Sequence, residues 1–315
     1  MRKLILFVSL CSLSLTAIAQ NRQAIMVEGE WAQVALKDFA TLTDGTTTTA
    51  PKVEMALSHF VTNYDICPYY LSIDLSSFSG FRSMPSSPYI TTVQPGIKKK
   101  LHTMTRDETP QYNNRYKYSY YRGDVAAEID INYPYALPIR QGDTTKISIG
   151  RNSGDYTLLF DMSYTVDTVY ACRAGIVCND ELSDQSSKGH NKSRTLITIY
   201  HKDGSMAEYT QFSQSLVRPG DRVKPGDPIA ICSSDNRMKQ VCVGIFFLDK
   251  NKVAIATGNK HSHFRPFFHE GAAGSIQLEP ETSYTATITE ELIIRDMDSK
   301  ELKKYRSEQK KQNKK

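Results

Sequence analysis

The sequence predicts a mostly β protein. A β-sandwich-like unit is expected over residues 20–132, a second antiparallel β-unit over 133–286, and a short C-terminal helix with a basic tail over 287–315. Three observations lead there. Tyr116, Tyr118 and Tyr120 alternate with Lys117 and Ser119, the period-two pattern of a half-buried strand. Short apolar runs between Ala56 and Tyr284 are punctuated by Gly, Pro and Asn, the residues of turns. Helix-prone sequence is concentrated after Thr287. The 315 residues are enough for two domains of ordinary size.

The chain opens MRKLILFVSLCSLSLTAIAQ, with Arg2 and Lys3 before an apolar run and Ala17-Ile18-Ala19 before Gln20. This is the pattern of a cleavable secretory signal over residues 1–19, and it implies a secreted or periplasmic protein. The apolar run is shorter than the roughly 20 residues that span a bilayer, and no later segment is apolar enough to do so. Leu10 stands where lipid attachment at Cys11 would require a small residue. Residues 30–42, EWAQVALKDFATL, read as a short helix and DGTTTTAP as a loop. The tyrosines of residues 116–120 form either the inner face of the sandwich or a sugar-stacking platform. Tyr133-Pro134-Tyr135-Ala136-Leu137-Pro138 reads as a stiff crossing between the units, because proline fixes φ and removes a backbone donor. Strands separated by Gly-bearing turns fill 139–249, FRPFF and SIQLEPETSYTATI are closing strands, and Thr287 with Glu290 suggests a capping box opening the final helix.

The net charge of +5 is local. Residues 301–315 carry seven Lys or Arg and two Glu, so the rest of the chain is balanced. No global nucleic-acid signature exists. The basic tail is either a solvated end or a contact for anionic envelope polymer. Loss of Cys11 with the signal leaves five cysteines, an odd number. Cys232 and Cys242 flank the polar loop SSDNRMKQV, so they form either a cross-strand disulfide or two buried thiols.

Three segments carry a resemblance: VDTVYACRAGIV, ITIYHKDGSMAEYTQF, and VRPGDRVKPGDPIA followed by QVCVGIFFLD. In this order and spacing they resemble the lysostaphin-type (LytM) zinc metallopeptidases that cut peptidoglycan, over roughly residues 133–284. The resemblance implies a duplicated-hybrid-motif β-domain. It also implies three protein ligands around one metal, a His, an Asp a few residues later and the second His of a His-x-His strand, with a further His from a Tyr-x-His segment. Here only Asp161 matches. Thr157 stands four residues before it, Tyr209-Thr210-Gln211 replaces Tyr-x-His, and Cys242-Val243-Gly244 or Val243-Gly244-Ile245 replaces the His-x-His strand. Gln211 donates a hydrogen bond but is no base near neutral pH.

The resemblance therefore implies a degenerate, non-catalytic member with no cofactor and no catalytic or metal-binding set, Asp161 being a vestigial ligand position. Its groove, with Asp161, Tyr209, Gln211 and Gly244 as candidate lining, would bind peptidoglycan or regulate a cell-wall hydrolase. An alternative keeps zinc and endopeptidase activity through a shifted set of Asp161, His261 and His263; against it, QVCVGIFFLD already fills the motif's place, and the two histidines fit an exposed strand start. A structural or assembly role in the envelope is the third reading.

Overall fold

The computed structural model describes residues 23–35, 53–107, 111–152, 155–162, 167–179, 196–232, 239–255, 257–271 and 274–312. The signal over 1–19 and the DGTTTTAP loop lie outside the described residues.

The first seven strands are β1 (Ile25–Ala35), β2 (Val53–Asn63), β3 (Tyr69–Asp74), β4 (Phe81–Arg82), β5 (Tyr89–Val93), β6 (Gly96–Arg106) and β7 (Lys117–Arg122). They form a four-stranded sheet in the order β1-β2-β6-β4 and a three-stranded sheet in the order β5-β3-β7. Ile25, Leu57, Val61 and Met104 of the first sheet share one core with Tyr69, Leu71, Ile73 and Val93 of the second. Tyr118 and Tyr120 lie in register with Ile73 and Leu71 and pack against that core. The alternation read in the sequence thus points these rings inward, as the pleat of a strand requires.

Residues 30–35 are strand, not helix. Their backbone pairs with β2 over the full length of β1, Glu30 facing Ser58 and Ala35 facing Val53. Long-range pairing overrides the local helical preference here.

The later strands are β8 (Pro134–Tyr135), β9 (Thr144–Asn152), β10 (Asp155–Asp161), β11 (Asp167–Tyr170), β12 (Gly175–Val177), β13 (Leu196–Tyr200), β14 (Met206–Thr210) and β15 (Gln214–Ser215). They continue with β16 (Arg222–Val223), β17 (Pro228–Cys232), β18 (Gln240–Leu248), β19 (His261–His263), β20 (Phe267–Glu270), β21 (Gly274–Ile276) and β22 (Ser283–Thr285). One sheet runs β16-β12-β13-β14-β18-β10-β9-β22, with β19 also paired to β18. Two three-stranded sheets, β11-β17-β15 and β21-β20-β8, pack with it. The segment read as a linker is core instead: Tyr133, Tyr135, Ala136 and Leu137 are buried, and β8 pairs in parallel with β20.

Three helices complete the described residues, α1 (Lys250–Val253), α2 (Glu290–Ile294) and α3 (Ser299–Gln312). The cap of α2 is Thr289 rather than Thr287; its hydroxyl accepts from Leu292 N. A capping box opens α3, where Asp298 Oδ1 accepts from Lys300 N and Glu301 N while Glu301 Oε2 accepts from Asp298 N. Buried Arg173 binds Asp296, between α2 and α3, and Asp203, at 2.9 Å each. The C-terminal segment is thereby pinned to the second unit.

Candidate functional site

Successive side chains of a strand point to opposite faces, so register decides which residues can share a site. On the central sheet, Leu158, Phe160, Val241, Val243, Ile245, Ala207, Tyr209, Ile197 and Ile199 enter the core. The opposite face carries a cross-strand row in direct register: Gly150, Thr157, Gly244, Glu208 and Thr198. This row, called the groove face below, contains Thr157 and Gly244, two of the positions that the resemblance compares with metal ligands.

Thr157 lies between two glycines. A Cβ on Gly150 would collide with Thr157 Oγ1, and one on Gly244 would come within 3.1 Å of Thr157 Cγ2. The same Gly244 Cβ would meet His263 at 3.4 Å (Cδ2) and 3.5 Å (Nε2). His263, on β19, therefore stands over Gly244. Two residues along β18, burial pushes the Cys242 thiol up, with the Thr157 and Thr210 hydroxyls pulling the other way.

The four groove candidates separate. Gly244 belongs to the row. Asp161 does not come near it: it sits at the far end of β10 opposite Gln240, where its exposed carboxylate accepts from Gln240 Nε2 at 2.7 Å. Four strand residues put its Cα about 13 Å from that of Thr157. Tyr209 is a correction. It is fully buried on the core face, and its hydroxyl accepts from Cys172 N at 2.8 Å. Gln211 follows the end of β14 in a left-handed conformation (φ 68°), and its carbonyl accepts from the Cys232 thiol.

Neither ligand set gathers. Thr157 offers a neutral hydroxyl and Gly244 nothing, while the carboxylate is remote. In the shifted set, the His263 ring stands over Gly244 and Asp161 faces Gln240, four β18 residues away or about 13 Å. Zinc ligands stand about 2 Å from the ion, so one ion cannot take both residues. Among the described residues no group of three His, Cys, Asp or Glu side chains could hold a metal. The residues present do not fit a zinc site of this class. Nor are the two histidines exposed: both are half-buried, and His261 Nε2 donates to Arg122 O at 2.9 Å.

Of the two readings for Cys232 and Cys242, the disulfide is overturned and the free thiols hold. Cys67 bridges Cys178, and Cys172, Cys232 and Cys242 are free thiols. Cys232 ends β17 in one sheet and Cys242 lies in β18 of another. The bridge therefore joins the first unit to the strand region after β12. Beside it, Arg122 binds Asp65 (2.8 Å) and Asn179 O (2.8 Å), and Asn179 N donates to Asp65 Oδ1 at 3.0 Å. These contacts hold β7 over the groove face. Sequence reading missed Glu208 and Thr198, although their polar alternation with Ala207, Tyr209, Ile197 and Ile199 was a usable signal.

Residues 158–255 match the profile of Peptidase family M23. The match contains Asp161, Gln211, Cys242 and Gly244 and ends before His261. This segment is an M23-type domain. No curated protein matches the chain. Among solved structures, the M23 metalloprotease pseudoalterin from the deep sea is 15% identical with a TM-score of 0.30, covering 50% of this chain and 96% of that one. Helicobacter pylori Csd3 in its orthorhombic crystal is 11% identical with a TM-score of 0.26, covering 74% of this chain and 77% of that one.

Proposed function

With residues 158–255 as an M23-type domain for premise, we propose that this is an exported, non-catalytic protein of the bacterial envelope that binds peptidoglycan through its groove face. One observation carries the reading. The positions that metal chemistry needs hold Thr157, Gln211, Cys242 and Gly244, while the strands and Gly-Asp turns that build the domain are kept. Activation of water requires a metal with an open coordination position or a base near neutral pH. Of the groove-face row, Glu208 and Thr198 line the cavity beneath β7 and supply a carboxylate and a hydroxyl that orient a polar ligand. The signal pattern over 1–19 supports export, and the basic residues of α3 are suited to anionic envelope polymer.

The test is a pull-down of the purified mature protein on peptidoglycan sacculi, with zinc content and released fragments measured in parallel. Retention without fragment release is expected. Stoichiometric zinc with fragment release that is lost in Asp161→Ala would overturn the non-catalytic reading. Absence of retention would overturn peptidoglycan binding and favour regulation of a cell-wall hydrolase or an assembly role.

A further inference from the structure

A second cavity, of about 550 Å³, lies between the C-terminal segment and the β12–β16 edge of the central sheet. None of the groove-face row lines it, so it is a separate site from the one read for peptidoglycan. We propose that it binds a fatty carboxylate, a single acyl chain with a compact anionic head.

The centre of the cavity is apolar. Ile176 of β12 pairs with Tyr200 of β13 and with Arg222 of β16, so the three side chains form one cross-strand row on the face opposite the core residues Val177, Ile199 and Val223. That row is one wall. Ile293 of α2, Met297 and Tyr305 of α3 supply the other. On α3, Glu301, Lys304, Tyr305 and Glu308 stand at i, i+3, i+4 and i+7, and this one helix face turns to the cavity. Ile176, Ile293, Met297 and Tyr305 are only half-buried, so a chain laid between them removes apolar surface from water on both sides. The size falls in the range of small-ligand sites and suits one chain with a small head.

The charged rim selects the head group. Asp296 is held through both oxygens by Arg173, at 2.9 and 3.2 Å. Asp298 and Glu301 close the capping box of α3, and the second Glu301 oxygen faces Arg222 at 3.7 Å. Lys202 donates to Asp296 O at 3.3 Å and sits in the field of Asp298. Lys224 and Lys304 remain. The Lys224 ammonium stands 5.5 Å from the centroid of the Tyr305 ring, and Lys304 precedes that tyrosine on α3; neither makes an ion pair among the described residues. Against these two cations the rim sets one unengaged carboxylate, Glu308. The surplus is positive. A cationic head would add repulsion beside Tyr305, whereas a carboxylate is attracted by both amines.

The test is calorimetric titration of the full mature protein with dodecanoate, decanoate and dodecyltrimethylammonium, each below its micellar concentration. Dodecanoate should bind at least about tenfold more tightly than the cation of equal chain length, the contribution of a charge-assisted hydrogen bond. It should also bind about tenfold more tightly than decanoate, the step that two buried methylenes give. Lys224→Gln with Lys304→Gln should remove the head-group preference and keep the chain-length step, a pattern that misfolding would not give. Because a bound chain bridges α3 to the sheet, dodecanoate should slow tryptic cleavage within α3 at least about twofold. Equal affinity for the two head groups, equal affinity for the two chain lengths, or no binding of dodecanoate overturns the proposal. Head-group preference retained in the double variant overturns the position assigned to the carboxylate. Binding to phosphatidylglycerol vesicles with none to dodecanoate in solution would assign this surface to a membrane and overturn the proposal as well.

Discussion

Replacing Cys67 and Cys178 by serine tests what couples the two units. The bridge closes a loop with a sequence separation of 111. In the chain-entropy account, a cross-link of that span removes about 16 cal/mol/K from the unfolded ensemble, or about 4.8 kcal/mol at 25 °C. The Arg122–Asp65–Asn179 contacts remain in the variant and hold part of the junction. The expected loss is therefore about 3–5 kcal/mol in urea unfolding. Two probes separate the units. Trp31 is the single tryptophan and stacks on Phe81 in the first unit, so its fluorescence follows that unit. Cys172 is buried in the second core, and its labelling by a thiol reagent follows that core. Both probes should change at one urea concentration in the bridged protein, whereas in the variant Trp31 should change first. A loss below about 1 kcal/mol with the probes still coincident would refute the argument that the bridge couples the units.

Four further outcomes follow. His201 is fully buried, and burial, followed by the Arg173 charge, lowers its pKa from 6.5 to about 4. Its folded pKa lies below its unfolded one, so its contribution is complete above pH 6.5 and is lost as pH falls towards 4. That loss is about 3 kcal/mol, measurable as a urea midpoint that falls across this window and falls less in His201→Gln. Arg173→Met would leave Asp203 and Asp296 facing each other without their cation, costing about 3–5 kcal/mol and exposing α3 to trypsin, which limited proteolysis would detect. Tyr209→Phe removes the acceptor for Cys172 N, which should cost about 1–3 kcal/mol and speed Cys172 labelling while sacculus retention of the folded protein is unchanged. The single substitution Thr157→His should not create zinc binding by calorimetry, because Asp161 remains about 13 Å along β10 and Gly244 offers no ligand.

Much of the fold was legible because its signals are local. Alternation at Tyr116–Tyr120 set the face of β7, and the Gly220-Asp221 and Gly226-Asp227 turns marked the third segment of the resemblance; both glycines do adopt positive φ. Residues 30–35 misled because the partner that makes them strand is β2, across the intervening chain. Tyr133–Pro138 misled for a related reason: two prolines suggest a linker, but pairing of Pro134 and Tyr135 with β20 buries the segment.

The site was less legible, because each of its decisive facts is a register. Tyr209 and Gln211 are two apart and would share a face if the strand continued, yet β14 ends at Thr210 and Gln211 turns left-handed. The family's Tyr-x-His pattern suggested the groove for both, whereas the local alternation of Ala207 and Tyr209 with Glu208 and Thr210 placed the tyrosine in the core. The histidines of residues 261–263 likewise looked exposed from sequence, since nothing local reveals that β19 pairs beyond the end of β10 and sets His263 over Gly244. β7 is held over this face by contacts more than fifty residues apart in sequence. Tyr118, Tyr120 and Tyr121 of β7 and Glu208, one position across the sheet from Gly244, line the same cavity, a juxtaposition that only the pairing of distant strands creates.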